Sequence, residues 1–245
     1  MRKMKSSLYK DTKSWNPFVG CLYNCIYCKP SYQRLVAWNG RCLGCKKCES
    51  FTPHEHPERL KRVPRDKVIF VCSNGDLAFA KKSYIRKILE VMRNDKRERT
   101  WLLQSKNPII FKEFLNELPS NTFLLTTLET NRDKGYRKIS KAPLLSKRYK
   151  DFLELKWEKK IVTIEPVIDF DLKEFSKWLL NIRPEVVFIG YNSHPKFVQL
   201  EEPTWNKVLD LMIELRRAKI PVLPKLIRKF AYWQYFEIRE GKEGR

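Results

Sequence analysis

The chain has no apolar run approaching the roughly 18 residues that a membrane-crossing helix requires, so a membrane partner is not expected. Its opening stretch, MRKMKSSLYKDTKSW, is basic but lacks the apolar centre and small-residue cleavage site of a secretion signal. No repeat, low-complexity tract or long linker interrupts the 245 residues, and one main core is expected. Acidic residues are also short in supply. Twenty-eight Asp and Glu face 50 Lys and Arg, a formal charge of +22. A charge that large repels itself unless polyanions are near, which makes nucleic acid the leading class of partner. A lysine-rich, heat-tolerant surface is the plainer alternative. What is present is globular in kind, with 42% apolar and 13% aromatic residues. Together these features read as a soluble, cytoplasmic protein.

The seven cysteines are unevenly placed: six lie within 21–48 and Cys72 stands alone. Their odd number, their clustering and the missing secretion signal argue against a disulfide framework and for metal. GCLYNCIYC sets Cys21, Cys25 and Cys28 in a C-x3-C-x2-C array. Three thiolates on so short a loop can wrap one corner of a cuboidal 4Fe-4S cluster, leaving the fourth iron open to an exogenous ligand. The competing reading is structural zinc with a distant fourth ligand, for which an x3 gap is atypical. RCLGCKKCESFTPHEH then supplies Cys42, Cys45 and Cys48, followed by His54 and His56. This second group reads either as another iron–sulfur cluster or as tetrahedral zinc, with two or three of its thiolates joined by His54 or His56. The spacing does not separate the two. Such a site either fixes the insertion ahead of Val68 or contacts substrate. Cys72, inside an apolar run, reads as a small buried hydrophobe.

Beyond residue 65, β-branched runs alternate with amphipathic stretches. Strands are expected near 14–18, 68–73, 100–105, 122–129, 161–168, 186–191 and 220–224. Helices are expected near 82–94, from Pro108 to 118, and near 146–157, 171–181 and 204–218. Regular alternation implies parallel strands with right-handed crossovers. Six or seven such units suit a partial (β/α)6-type barrel of the α/β class, here carrying an N-terminal cysteine-rich insertion over 38–66. The barrel is expected over 1–228, with a basic aromatic tail at 229–245. Chemistry is then expected at the C-terminal strand ends, where Ser73, Asn74, Asp76, Ser105, Lys106, Glu129, Glu165 and Asn192 stand.

The cysteine array, with Tyr27 just before its last thiol, resembles the radical-SAM superfamily. WNPFVGC, CSNGDLAF, LQSKNP, TLETN, IEPVI and VLPKL, in that order, look like a phage- and archaea-associated radical-SAM group, similar in general build to spore photoproduct lyase. The resemblance implies S-adenosylmethionine (SAM) chelated to the open iron, its reductive cleavage to methionine and a 5′-deoxyadenosyl radical, and an electron donor such as ferredoxin or flavodoxin. It implies that Tyr27 lies beside the adenine and that Ser73, Asn74, Gly75 and Asp76 form the loop receiving the methionine amino group. That loop departs from the usual Gly-Gly-Glu pattern. Ser105, Glu129 and Glu165 match strand-end positions that contact ribose, carboxylate or substrate. The three-cysteine insertion is a further departure and points to a different substrate.

Two basic segments bear on that substrate. The stretch 225–245 interleaves cations with five aromatic residues, a pattern suited to phosphates and unpaired bases, or else to a helix covering the barrel's open edge. The loop 132–148 is either a second contact surface or an ordinary solvated linker. Nucleic-acid modification or repair is therefore the leading expectation. A peptide or small-molecule substrate is one alternative, and a non-catalytic, metal-stabilised nucleic-acid-binding module is another.

Overall fold

The computed structural model of the protein describes residues 12–225. In chain order its elements are β1 (Thr12–Trp15), β2 (Phe18–Val19), α1 (Arg34–Cys42), α2 (Lys46–Glu49), β3 (His54–Glu55), β4 (Val68–Val71), α3 (Lys82–Asn94), β5 (Thr100–Gln104), β6 (Thr122–Thr127), α4 (Leu145–Glu154), β7 (Lys160–Ile164), α5 (Leu172–Ile182), β8 (Val186–Ile189), α6 (Trp205–Arg217) and β9 (Val222–Pro224). Seven strands form one sheet in the order β1-β4-β5-β6-β7-β8-β9, with every neighbouring pair parallel. The sheet curves into a half-barrel, as the alternation of strands and helices implies. β2 and β3 pair antiparallel as a separate ribbon.

Burial on both faces explains the composition of the central strands. β6, β7 and β8 are buried at every position, and their sequences TFLLTT, KIVTI and VVFI are correspondingly short of charge. Successive side chains point to opposite faces. Trp101 and Leu103 therefore join the large core under the helices, while Leu102 turns to the concave face with Val68, Phe123, Leu125, Ile161 and Val186. The helices cover the convex face through residues spaced three and four apart. On α3 these are Tyr84, Ile85, Ile88, Leu89 and Met92.

Two expectations need correction, and a third is refined. The strand near 14–18 is two pieces, since Asn16 and Pro17 turn the chain out of β1 and into β2. The helix expected from Pro108 forms over Pro108–Glu117 and is of the 3-10 type. Its buried residues Pro108, Phe111 and Phe114 fall every third position, matching three residues per turn. The run IVTIEPVI leaves the sheet after Ile164, because Pro166 has no N–H for the ladder. The aromatic tail 229–245 lies outside the described residues, as does all but the first residue of the basic segment 225–245. Among the described residues no helix is long and apolar enough to cross a membrane.

Candidate functional site

The cysteine loop grows directly from the barrel lip. After β2, the Gly20 N–H donates to the Asn74 carbonyl at 3.0 Å, and the Asp76 N–H donates back to the Gly20 carbonyl at 3.2 Å. Gly20 and Gly75 thus form a parallel bridge between the root of the loop and the turn after β4. The approach leaves no room for a side chain: a Cβ on Gly20 would lie 2.4 Å from the Thr52 carbonyl oxygen. Its φ of +97° is moreover one that L-residues avoid. Gly20→Ala is expected to cost about 1–3 kcal/mol, read as a lower urea midpoint, and to reduce the iron retained by the loop. An unchanged midpoint and iron content would mean the root is not locked.

Cys21, Cys25 and Cys28 line a cavity at the C-terminal ends of the strands. Cys25 is the most enclosed, packed against Tyr23 and Ala142, with its thiol 3.0 Å from the Ser140 hydroxyl. Burial pushes the Cys21 thiol far above its ordinary range, and neighbouring Asp76 adds to the effect. Burial, reinforced by Cys25, also lifts Cys28 to about 11. Thiols raised this far, as Cys21 and Cys28 are, do not ionise unaided; a metal centre would supply the positive charge that holds them as thiolates. The donor set, three convergent thiols opening onto a cavity, fits an iron–sulfur cluster.

Beside the thiols stands a buried ionic network. Glu129 and Arg148 are both fully enclosed and pair at 2.8 Å. Lys106 and the Tyr27 hydroxyl also donate to Glu129, and the Tyr136 hydroxyl donates at 2.9 Å. Burial alone would raise the Glu129 pKa, but Lys106 and Arg148 hold it down at about 2. The same carboxylate keeps Lys106 protonated against its own burial. Glu129 itself does not reach the cavity; Lys106 and Tyr27 do, and carry the network to its wall. The floor is polar, with the Gln104 amide donating to the Thr127 hydroxyl at 2.8 Å and Thr163 to Thr127 at 3.0 Å. At the far side Lys225 pairs with Glu165 at 2.6 Å.

The residues expected at strand ends thus separate. Ser73, Asn74, Gly75, Asp76, Lys106, Glu165 and Asn192 line the cavity, whereas Ser105 and Glu129 sit behind its wall. Both Asp76 oxygens are engaged by the protein, accepting from the Ser105 hydroxyl (2.6 Å), the Ala78 N–H (3.0 Å) and the Lys106 N–H (2.9 Å). The Ser73 hydroxyl donates to Ser14 at 2.8 Å. Cys72 is buried as expected, yet its sulfur-bearing residue also lines the cavity and adopts a left-handed φ of +55° at the turn. Ser140, Tyr136 and Arg148 were not foreseen, because nothing in their sequence neighbourhoods marks them as partners of Cys25 or Glu129. The loop 132–148 is accordingly no plain linker. Arg132 is bound by Asp169 and Asp171, and Arg148 is buried.

In the second cysteine group, ligand atoms of Cys45, Cys48, His54 and His56 all lie within 4.8 Å of one another. Cys42, at the end of α1, is exposed and stands apart from them.

No family model and no curated protein matches the chain. Solved structures do. SuiB of Streptococcus suis, solved bound to precursor peptide SuiA, superposes with a TM-score of 0.59 over 96% of this chain and 55% of its own, at 11% identity. TYW1, with a lysine-pyruvate adduct bound, superposes at 0.50 over 87% of this chain and 76% of its own, at 12% identity. The parallel half-barrel fold is shared with both. A spore photoproduct lyase variant with AdoMet and dinucleoside spore photoproduct bound gives 0.49, covering 83% of this chain and 61% of its own, at 9% identity. The chain therefore spans little more than half of SuiB and under two thirds of the lyase.

Proposed function

We propose that the protein is a radical-SAM enzyme acting on a nucleic-acid base or nucleotide. The observation that carries the reading is the convergence of Cys21, Cys25 and Cys28 on a cavity at the C-terminal lip of a parallel half-barrel. Cys21, Cys25 and Cys28 would hold a 4Fe-4S cluster there, which would supply the electron for reductive cleavage of SAM. The chain's own residues shape what surrounds that event. Lys106, kept cationic by Glu129, would offer a fixed positive charge to the methionine carboxylate, and Tyr27, also on the cavity wall, would take the adenine. The Ser73-Asn74-Gly75 turn, which lines the cavity, would receive the methionine amino group. The Glu165–Lys225 pair, across the cavity, is assigned to substrate. Aromatic residues of the cavity wall, such as Tyr23, braced by Phe79 at 4.7 Å behind it, and Phe70, would limit the access of water and stray hydrogen donors.

Charge supports the substrate class. Lys134, Arg137, Lys138 and Lys141 are exposed on a segment joined to the cysteine loop, where the Ile26 N–H donates to Ile139 O and the Lys141 N–H to Tyr23 O. Polyanion binding at this face would bring a base to the cavity mouth. The ordered strings from WNPFVGC to VLPKL support placement in the phage- and archaea-associated group, working in a reducing cytosol with a ferredoxin- or flavodoxin-type donor. A peptide is the rival substrate, since SuiB was solved with one.

Anaerobic protein reduced with dithionite and given SAM is expected to form 5′-deoxyadenosine. Its formation should be stimulated by tRNA or DNA, with stimulation falling steeply as salt rises. Absence of 5′-deoxyadenosine from iron-loaded protein would sink the enzyme reading. Stimulation by peptides alone would move the substrate class.

A further inference from the structure

Outside the cavity, the second cysteine group is the best-built cluster of ligating side chains among the described residues, and its construction is local. Cys45 caps the start of α2, and Cys48 lies one turn on, so a C-x2-C spacing turns both thiols the same way. His54 and His56 are two apart on an extended segment and therefore share one face, their ring centroids 4.4 Å apart. His54 Nε2 lies 3.4 Å from both thiols, and His56 Nε2 lies 3.2 Å from Cys48. A tetrahedron with Zn–S of about 2.3 Å and Zn–N of about 2.0 Å spaces its sulfur and nitrogen corners about 3.5 Å apart.

The outer contacts fix the tautomers needed. His54 Nδ1 lies 2.7 Å from the Thr52 carbonyl and His56 Nδ1 lies 2.7 Å from a Glu58 oxygen, so each ring donates there and turns its Nε2 lone pair to the thiols. Hydrogen bonding alone does not account for two imidazoles and two thiols converging on one point. An iron–sulfur cluster does not fit either: only two thiols converge, and four ligands this close surround one ion, not a pair of irons.

We propose that Cys45, Cys48, His54 and His56 bind one zinc ion, without Cys42, and that this ion clamps the root of the cysteine loop. Four protein ligands close the coordination sphere, which makes the site structural. Its place in the chain gives the clamp its target. His54 pairs in register with Val19 and Glu55 with Phe18, immediately before Gly20 and Cys21. The Cys21 N–H in turn faces the Phe51 carbonyl at 3.4 Å, between the two ligand pairs.

The test is metal analysis of the anaerobically purified full chain, zinc and iron counted together. One zinc per chain is expected in the wild type, in Cys42→Ser, and in a variant with Cys21, Cys25 and Cys28 all changed to Ala. That last arm separates this proposal from the radical-SAM reading, since zinc persists there whatever the fate of iron. Cys48→Ser is expected to lose zinc at least tenfold, and His56→Cys to retain it. Wild-type protein exchanged with cobalt is expected to show the visible d–d bands of a tetrahedral thiolate site. Loss of zinc in Cys42→Ser, iron and sulfide at this group in place of zinc, or octahedral cobalt bands would each overturn the assignment. Stripping zinc from the wild type should lower its melting temperature and slow iron loading at the first cysteines severalfold; unchanged loading would remove the clamp role.

Discussion

Cys28→Ala protein, reconstituted anaerobically, is expected to carry less than about a tenth of the wild-type iron and to form no 5′-deoxyadenosine above background. Losing an outer-shell contact alone typically weakens metal binding about 10–100-fold, and a ligand counts for more. Cys28 is the informative choice among the three. It is half-buried, whereas Cys25 is packed into the wall and bonded to Ser140, so its replacement would disturb packing as well as ligation. The fold of Cys28→Ala should remain intact by circular dichroism. Iron retained at about four per chain in this variant would show that the cluster is held elsewhere.

Arg148→Met is expected to be the most damaging substitution away from the thiols. Removing one member of a buried ion pair costs about 3–5 kcal/mol, because the other charge is left enclosed. In a chain of this size that corresponds to a fall of roughly 6–20 °C in melting temperature. Arg148 also donates to the Thr127 carbonyl at 2.6 Å, to the Pro143 carbonyl at 2.9 Å and to the Tyr136 hydroxyl at 2.9 Å, so three further groups lose a partner.

The pH dependence has a defined sign. The Glu129 carboxyl is held at about 2, below its ordinary 4.5. Its contribution is fully present above about pH 4.5 and is lost as pH falls through about 2. Denaturation of wild type and Glu129→Gln, compared from pH 7 downward, should therefore show a gap that is wide at neutrality and narrows across that window. Equal stability at pH 7 would refute the network's structural weight.

The parallel sheet was legible because runs such as TFLLTT and VVFI carry no charge and recur between amphipathic stretches, as burial on both faces demands. The break at Asn16 and Pro17 was less visible, since apolar residues continue on either side of it. In the metal ligands, C-x2-C-x2-C offers three equivalent thiols. Only the turn from α1 into α2 decides that Cys45 and Cys48 meet the histidines while Cys42 faces solvent. Glu129 was identifiable as the polar end of a strand, but its burial depends on Arg148, 19 positions away, and on Tyr27, 102 positions away. Contacts of that range leave no local trace.

The seam between Gly20 and Gly75 carries one more consequence. Because main chain meets main chain there, the register of the first thiol is dictated by backbone and not by any neighbouring side chain. Leu22, which projects outward from the same loop, is therefore free to drift under selection without detuning it, whereas Asn24, at a left-handed φ of +50°, is held to residues that tolerate that conformation. Relatives of this chain can then exchange whatever docks against Leu22 while inheriting an unaltered cysteine loop, and an engineer can do the same.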